Sequence, residues 1–191
     1  GLIGTDDHGR SIFLRQPETS DELEMAWRAV EVCPTRSVGN LHVRRPPRPP
    51  FPQDLGDGVH RLGHNATSSF GAHSYLVVRD DGNLMVDSPR WTRAVVEPIA
   101  ERGGLTDILL THRDDVADAE LYAAHFGARV WIHAADADAA PYATDLLEGT
   151  AARHLRPDVV AVPVPGHTEG SVLYLVDGHL LFSGDSLAWD P

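Results

Sequence analysis

The 191-residue chain has no lysine; all sixteen of its cationic side chains are arginine, set against twenty-eight aspartates and glutamates, for a formal charge of −12. So acidic a surface argues against nucleic acid or an anionic membrane as the main partner, because phosphate binding is dominated by clustered cations. Cysteine is almost absent. Cys33 stands alone, which forbids an internal disulfide and makes a reducing compartment, the cytoplasm, the expected location. No apolar run approaches the roughly eighteen residues needed to cross a bilayer, and no signal-peptide-like apolar segment is present. The sequence opens on Gly1 without an initiator Met, so it reads as soluble and as a piece of a longer protein. Aromatics are sparse at 7%, yet 42% of residues are apolar and 23% charged, ordinary values for a chain that buries a core. At roughly 150 residues per domain, the length leaves room for one full domain and a small appendage.

The clearest boundary runs through Arg44, Arg45 and five prolines between Pro46 and Pro52, which remove backbone donors and favour an extended spacer. We place the units at 1–43, a linker at 44–53, and 54–191. In the first unit Thr19 and Glu22 form a helix-start pattern, Leu23, Ala26, Trp27 and Val30 follow at helical spacing, and Pro34 ends the helix. Short strands are expected at Ser11–Leu14 and Leu41–Val43. Beyond residue 54, strand-like runs fall at Val59–Leu62, Ser74–Arg79, Asn83–Val86, Asp107–Leu110, Arg129–His133, Val159–Val164, Ser171–Val176 and His179–Phe182. Helices are expected at 91–102, 115–126 and 134–148, the last interrupted by Pro141. Adjacent strands joined by Asp81-Gly82 and Asp177-Gly178 are hairpin signals, and helices between such groups suggest a layered α/β sandwich.

Most of the eleven histidines sit among polar or turn residues and need no special role. Three strand ends differ. Leu109-Leu110-Thr111-His112 runs into Asp114, Asp115 and Asp118; His167 lies between Gly166 and Gly170; and Leu181-Phe182-Ser183-Gly184 leads to Asp185. Loops at strand ends are where a rigid scaffold aims ligands at one point. Imidazole and carboxylate together suit zinc, manganese or iron, and such a cation acidifies water for hydrolysis. Singly, each motif is better explained by a turn or by a helix start, where carboxylates oppose the positive end. Three in one chain favour a site.

The order Thr-His, Pro-Gly-His-Thr-Glu-Gly-Ser, Phe-Ser-Gly-Asp-Ser-Leu resembles the metallo-β-lactamase-fold hydrolases over roughly 56–191, and Gly71 to Val77 looks like the family's early Asn-Ser-Tyr-Leu-Val strand. The resemblance implies an α+β, four-layer αββα sandwich with one or two divalent metals, His167 as a terminal ligand and Asp185 as a bridge. The first motif departs from the family's His-x-His-x-Asp-His. His112 matches the first His, Asp114 replaces the second, and Val116 and Ala117, which cannot bind metal, stand for the Asp and the last His. Asp118 substitutes only if the loop is reshaped. The family's later His and closing helix are expected to lie past Pro191.

The first unit, from Asp6-Asp7-His8-Gly9-Arg10 to Cys33-Pro34-Thr35, resembles the C-terminal half of a single-cluster bacterial ferredoxin. That resemblance implies Cys33 as the last ligand of an iron–sulfur cluster, its partners lying in a longer chain. The sequence therefore points first to a metal-dependent hydrolase acting on an ester, thioester, amide or lactam carbonyl of a small-molecule substrate. Its metal residues would be His112, Asp114, His167 and Asp185, with Asp118 as a reshaped-loop alternative and Thr168 and Ser171 orienting them. Two other readings stay open: a redox protein whose ferredoxin-like unit takes electrons from a partner to an iron site, and a non-catalytic scaffold with a relic site.

Overall fold

A computed structural model describes residues 1–39, 46, 48–69 and 71–187. The expected strand at Leu41–Val43, and Arg44, Arg45 and Pro47 of the expected linker, lie outside them. The chain begins with a hairpin of β1 (Ile3–Thr5) and β2 (Ser11–Phe13), then helix α1 (Ser20–Val32). Thr19 caps α1 in a complete capping box, its hydroxyl accepting from the Glu22 N–H while the Glu22 carboxylate accepts from the Thr19 N–H. Cys33 is the C-cap.

A seven-stranded sheet follows, ordered β3 (Gln53–Gly56), β4 (Val59–Arg61), β5 (Tyr75–Val77), β6 (Leu84–Val86), β7 (Asp107–Leu109), β8 (Arg129–His133) and β9 (Asp145–Leu147). Its first four strands are antiparallel hairpin partners and its last four run parallel. Parallel neighbours need crossovers. These are α2 (Arg93–Glu101), α3 (Ala119–Phe126) and a 3₁₀ turn over 134–139. A second, antiparallel sheet holds β10 (Arg153–Arg156), β11 (Val159–Pro163), β12 (Val172–Val176) and β13 (Leu180–Phe182).

Two apolar layers join these parts. Val95 and Ile99 of α2 and Tyr122 of α3 pack on one face of the large sheet, against Met85, Ile108 and Val130. Val77, Val86, Leu109 and Trp131 on the other face meet Ala161, Val172, Tyr174 and Phe182 of the small sheet. Along β11 and β12, buried Val159, Ala161, Val172, Tyr174 and Val176 alternate with half-exposed Val160, Val162, Leu173 and Leu175. The described residues thus form three layers, α, β and β, where four were expected, because no described helix covers those half-exposed side chains.

Two expected helices are also corrected. The segment 115–126 becomes helical only from Ala119, because Ala117 takes φ 33° and Asp115 turns inward. Residues 134–148 are a 3₁₀ turn and then strand β9, where the Thr144 hydroxyl accepts from the Val130 N–H and the chain adds to the sheet edge beside β8. Pro141 lies between the two. No helix of the described residues is long and apolar enough to cross a membrane.

At the end where β5 and β12 finish, Arg79 holds both sheets. Its guanidinium, 9% exposed, reaches Asp81 at 3.0 Å, Asp177 at 2.7 Å and Asp158. Arg156 likewise joins the small sheet to buried Asp107, which also accepts from Trp131 Nε1. A planar fork with several donors makes such a clamp, and an ammonium does not. Replacing Arg79 with Lys is expected to lower stability by about 1–2 kcal/mol, read as a lower urea midpoint with an unchanged slope. An unchanged midpoint would show that the three contacts do not stabilise the sandwich.

Candidate metal centre

The opposite edge collects the ends of β6, β7, β8, β11 and β13 and the start of β12, and each contributes a polar side chain. His112 follows β7, and its Nε2 lies 3.9 Å from Asp114 Oδ2 and 3.9 Å from Asp185 Oδ2. His167, in the loop between β11 and β12, brings Nε2 to 3.6 Å from Asp114 Oδ2 and 3.8 Å from Asp185 Oδ2. The two rings meet edge to face, with centroids 4.8 Å apart. One donor atom from each of His112, His167 and Asp185 lies within 4.8 Å of the other two. Donors at about 2.1 Å from a tetrahedral ion stand about 3.4 Å apart, so small side-chain shifts close the set.

His112 shows how well a cation fits. It is 1% exposed, and Nε2, the atom facing the carboxylates, has no hydrogen-bond partner among the described residues. A buried polar atom left unpaired is costly unless something meets it. Burial also holds the ring's pKa below its usual 6.5, favouring the neutral form that ligates. Two imidazoles with one or two carboxylates suit zinc or iron.

The orientation of His112 is set from behind. Asp87, just past β6, accepts from the Thr111 N–H at 2.8 Å and from the Thr111 hydroxyl at 3.0 Å. The Thr111 oxygen stands 3.0 Å from His112 Nδ1. With the hydroxyl proton given to Asp87, Nδ1–H donates to Thr111 and the Nε2 lone pair is left for the site. Thr111 O accepts from the Val172 N–H at 2.8 Å, tying the two sheets at this edge. A Cβ on Gly184 (φ 48°) would run into the Thr111 hydroxyl, so only glycine lets the chain pass close enough to deliver Asp185.

The other expected site residues fall as follows. Asp114 reaches the cluster. Asp118 does not, because its Oδ2 accepts from the Trp91 N–H at 2.6 Å on the far side of the loop. Thr168 and Ser171 shape the His167 turn, the Ser171 hydroxyl accepting from the Thr168 N–H at 2.9 Å. The Thr168 hydroxyl in turn donates to Asp136 at 2.6 Å. Val116 packs on the helix-side core and Ala117 turns the chain. Sequence reasoning missed Asp87 and Asp136. The first has a strand-end signal, Val86-Asp87-Ser88-Pro89, like those of the ligands. The second sits in an alanine-rich run that gives none.

A cleft of about 640 Å³ leads from Asp185 and Asp115 past His73 and Tyr75 to Leu55. Asp87 and Asp115 are both pushed above the usual carboxylate range, first by burial; Asp185 adds its charge to both, and Asp87 adds its own to Asp115. A raised folded-state pKa means the folded chain holds protons that the unfolded chain releases. Stability of the metal-free protein should therefore fall as pH rises from about 4 towards neutrality. Asp87→Asn is expected to flatten that slope in urea titrations at several pH values. An identical slope in the variant would mean Asp87 is ionised throughout.

No family model matches the chain. Among curated proteins it is 35% identical over 118 residues to a hydroxyacylglutathione hydrolase of Xanthomonas campestris, covering 59% of this chain and 45% of that protein. It is 41% identical over 120 residues to one of Cereibacter sphaeroides, covering 59% and 47%. The chain spans about half the length of the curated relatives it matches. Among solved structures, a metallo-β-lactamase of Cronobacter sakazakii aligns at TM-score 0.52 and 20% identity, over 66% of this chain and 59% of that one. BJP-1, a subclass B3 metallo-β-lactamase of Bradyrhizobium japonicum, aligns at TM-score 0.50 and 17% identity, over 63% and 54%. None of these proteins supports the ferredoxin-like unit or its iron–sulfur cluster, and Cys33, half-buried, is the chain's one thiol. Over about two thirds of the chain the mixed α/β architecture, two facing sheets with helices outside the larger one, matches the fold of these metallo-β-lactamases.

Proposed function

We propose that this protein is a metal-dependent hydrolase in which His112, His167 and Asp185 hold one divalent cation, with Asp114 within reach. The observation that carries this reading is the orphaned, buried Nε2 of His112 facing a second imidazole and two carboxylates. Bound there, a divalent cation acidifies water and polarises a carbonyl. The chain's own part is to orient the donors through Asp87 and Thr111 and to take up a proton. Asp114, 40% exposed beside both imidazoles, is placed to accept it. Val116 and Ala117 supply no further donors, which favours one cation over two.

The relatives named hydroxyacylglutathione hydrolase make a small-molecule thioester the substrate class to test first. In competition with a chromogenic chelator, the protein should bind one zinc. His112→Ala or Asp185→Ala should weaken binding by more than about 100-fold, beyond the roughly 10–100-fold typical of residues behind the ligands. Zinc-loaded protein should release thiol from a hydroxyacylglutathione, and chelator should stop it. Absence of zinc binding would overturn the site, and zinc binding without thiol release would overturn the thioester.

A further inference from the structure

Resting on the cation site proposed above, we infer that Asp136 is the positioning residue that locks the two histidine loops together and so sets the affinity of the centre. The two loops come from different sheets: Thr111 to Asp115 follows β7 of the large sheet, and Val164 to Ser171 precedes β12 of the small one. Nothing about either sheet alone fixes the distance between His112 and His167. Asp136 reaches both. It lies three residues past β8, whose parallel pairing with β7 brings the two strand ends side by side. One oxygen, Oδ2, accepts from the Arg113 N–H at 3.0 Å, next to His112, and from the Thr168 hydroxyl at 2.6 Å, next to His167. The side chain also presses on the second loop's backbone, where a Cβ at Gly170 would stand 2.5 Å from Asp136 Cγ. Asp136 is 1% exposed, and among the described residues no arginine pairs with it; Arg113 turns its guanidinium to Asp138 at 2.7 Å. A buried carboxylate without a counter-ion, spent on one amide and one hydroxyl from separate loops, is a tether.

Because both donors use the same oxygen, tether and charge can be separated. Asp136→Asn keeps an acceptor at that position and removes the charge; Asp136→Ala removes both. Thr168→Val cuts the link on the His167 side alone, and Thr168→Ser restores it. Zinc affinity by chelator competition, the visible spectrum of the cobalt(II) protein and the unfolding midpoint of the metal-free protein are measured on each. Asp136→Ala should bind zinc about 10–100-fold more weakly with an altered cobalt spectrum. Thr168→Val should fall between, and Asp136→Asn and Thr168→Ser should stay within about threefold of the parent. If Asp136→Ala proves unfolded without metal, the Thr168 pair carries the test. Unchanged affinity and spectrum in Thr168→Val, or in a folded Asp136→Ala whose midpoint alone has dropped, would reduce Asp136 to a structural residue and overturn the inference. Loss in Asp136→Asn equal to that in Asp136→Ala would overturn the tether in favour of the charge. A parent protein that binds no zinc would instead overturn the site itself.

Discussion

Thr111 is the junction on which the site depends. Its N–H and hydroxyl go to Asp87, its carbonyl receives the Val172 N–H from the facing sheet, its oxygen meets His112 Nδ1, and Gly184 passes against it. One residue thus fixes the tautomer of a histidine, the approach of two sheets and the route of the strand end that carries Asp185. A small β-branched side chain with a single hydroxyl fits all of this: it is stiff at χ1, so the hydroxyl is aimed before any partner is met. Serine would keep the hydrogen bonds and lose the stiffness.

Around that junction the fold follows from ordinary packing. Parallel strands β6, β7 and β8 end at one edge because each is followed by a crossover, and polar side chains gather where several strand ends and one strand start coincide. Burying Asp87, Asp115 and Asp136 there has a cost in desolvation, partly offset by the hydrogen bonds that Asp87 and Asp136 accept. Asp115 receives none among the described residues, which fits its raised pKa.

The parts of the centre that were readable from sequence are those whose local pattern breaks a strand: Thr-His after Leu109-Leu110, Gly-His after Val164-Pro165, Gly-Asp after Phe182-Ser183. The chain there must turn, and a ligand-type residue at a turn stands out. Asp136 could not be read because its role comes from the spacing of two loops more than twenty residues away on either side. The surrounding Ala134, Ala135, Ala137 and Ala139 read as helix, whereas pairing of Asp145–Leu147 with β8 claims the later residues for the sheet. The ferredoxin-like reading rests on a short match from Asp6 to Thr35 that holds a single cysteine, and none of the compared proteins supports it. The half-exposed face of the small sheet was also beyond reach, since alternation along β11 and β12 shows which side chains face in and not what lies outside.

The sandwich is pinned at its two ends by different physics. At the metal end the ties are amide and hydroxyl hydrogen bonds: Val172 to Thr111, Arg113 and Thr168 to Asp136. At the other end they are guanidinium–carboxylate pairs from Arg79 and Arg156, among whose partners Asp81 and Asp177 reach solvent. Dissolved electrolyte weakens the solvent-reaching pairs of the second kind, since exposed charges are screened over a length of about 8 Å at physiological salt, and leaves short buried hydrogen bonds nearly untouched. Ionic strength therefore loosens this molecule at the end away from its chemistry, and the geometry between His112 and His167 is insulated from the salinity around it.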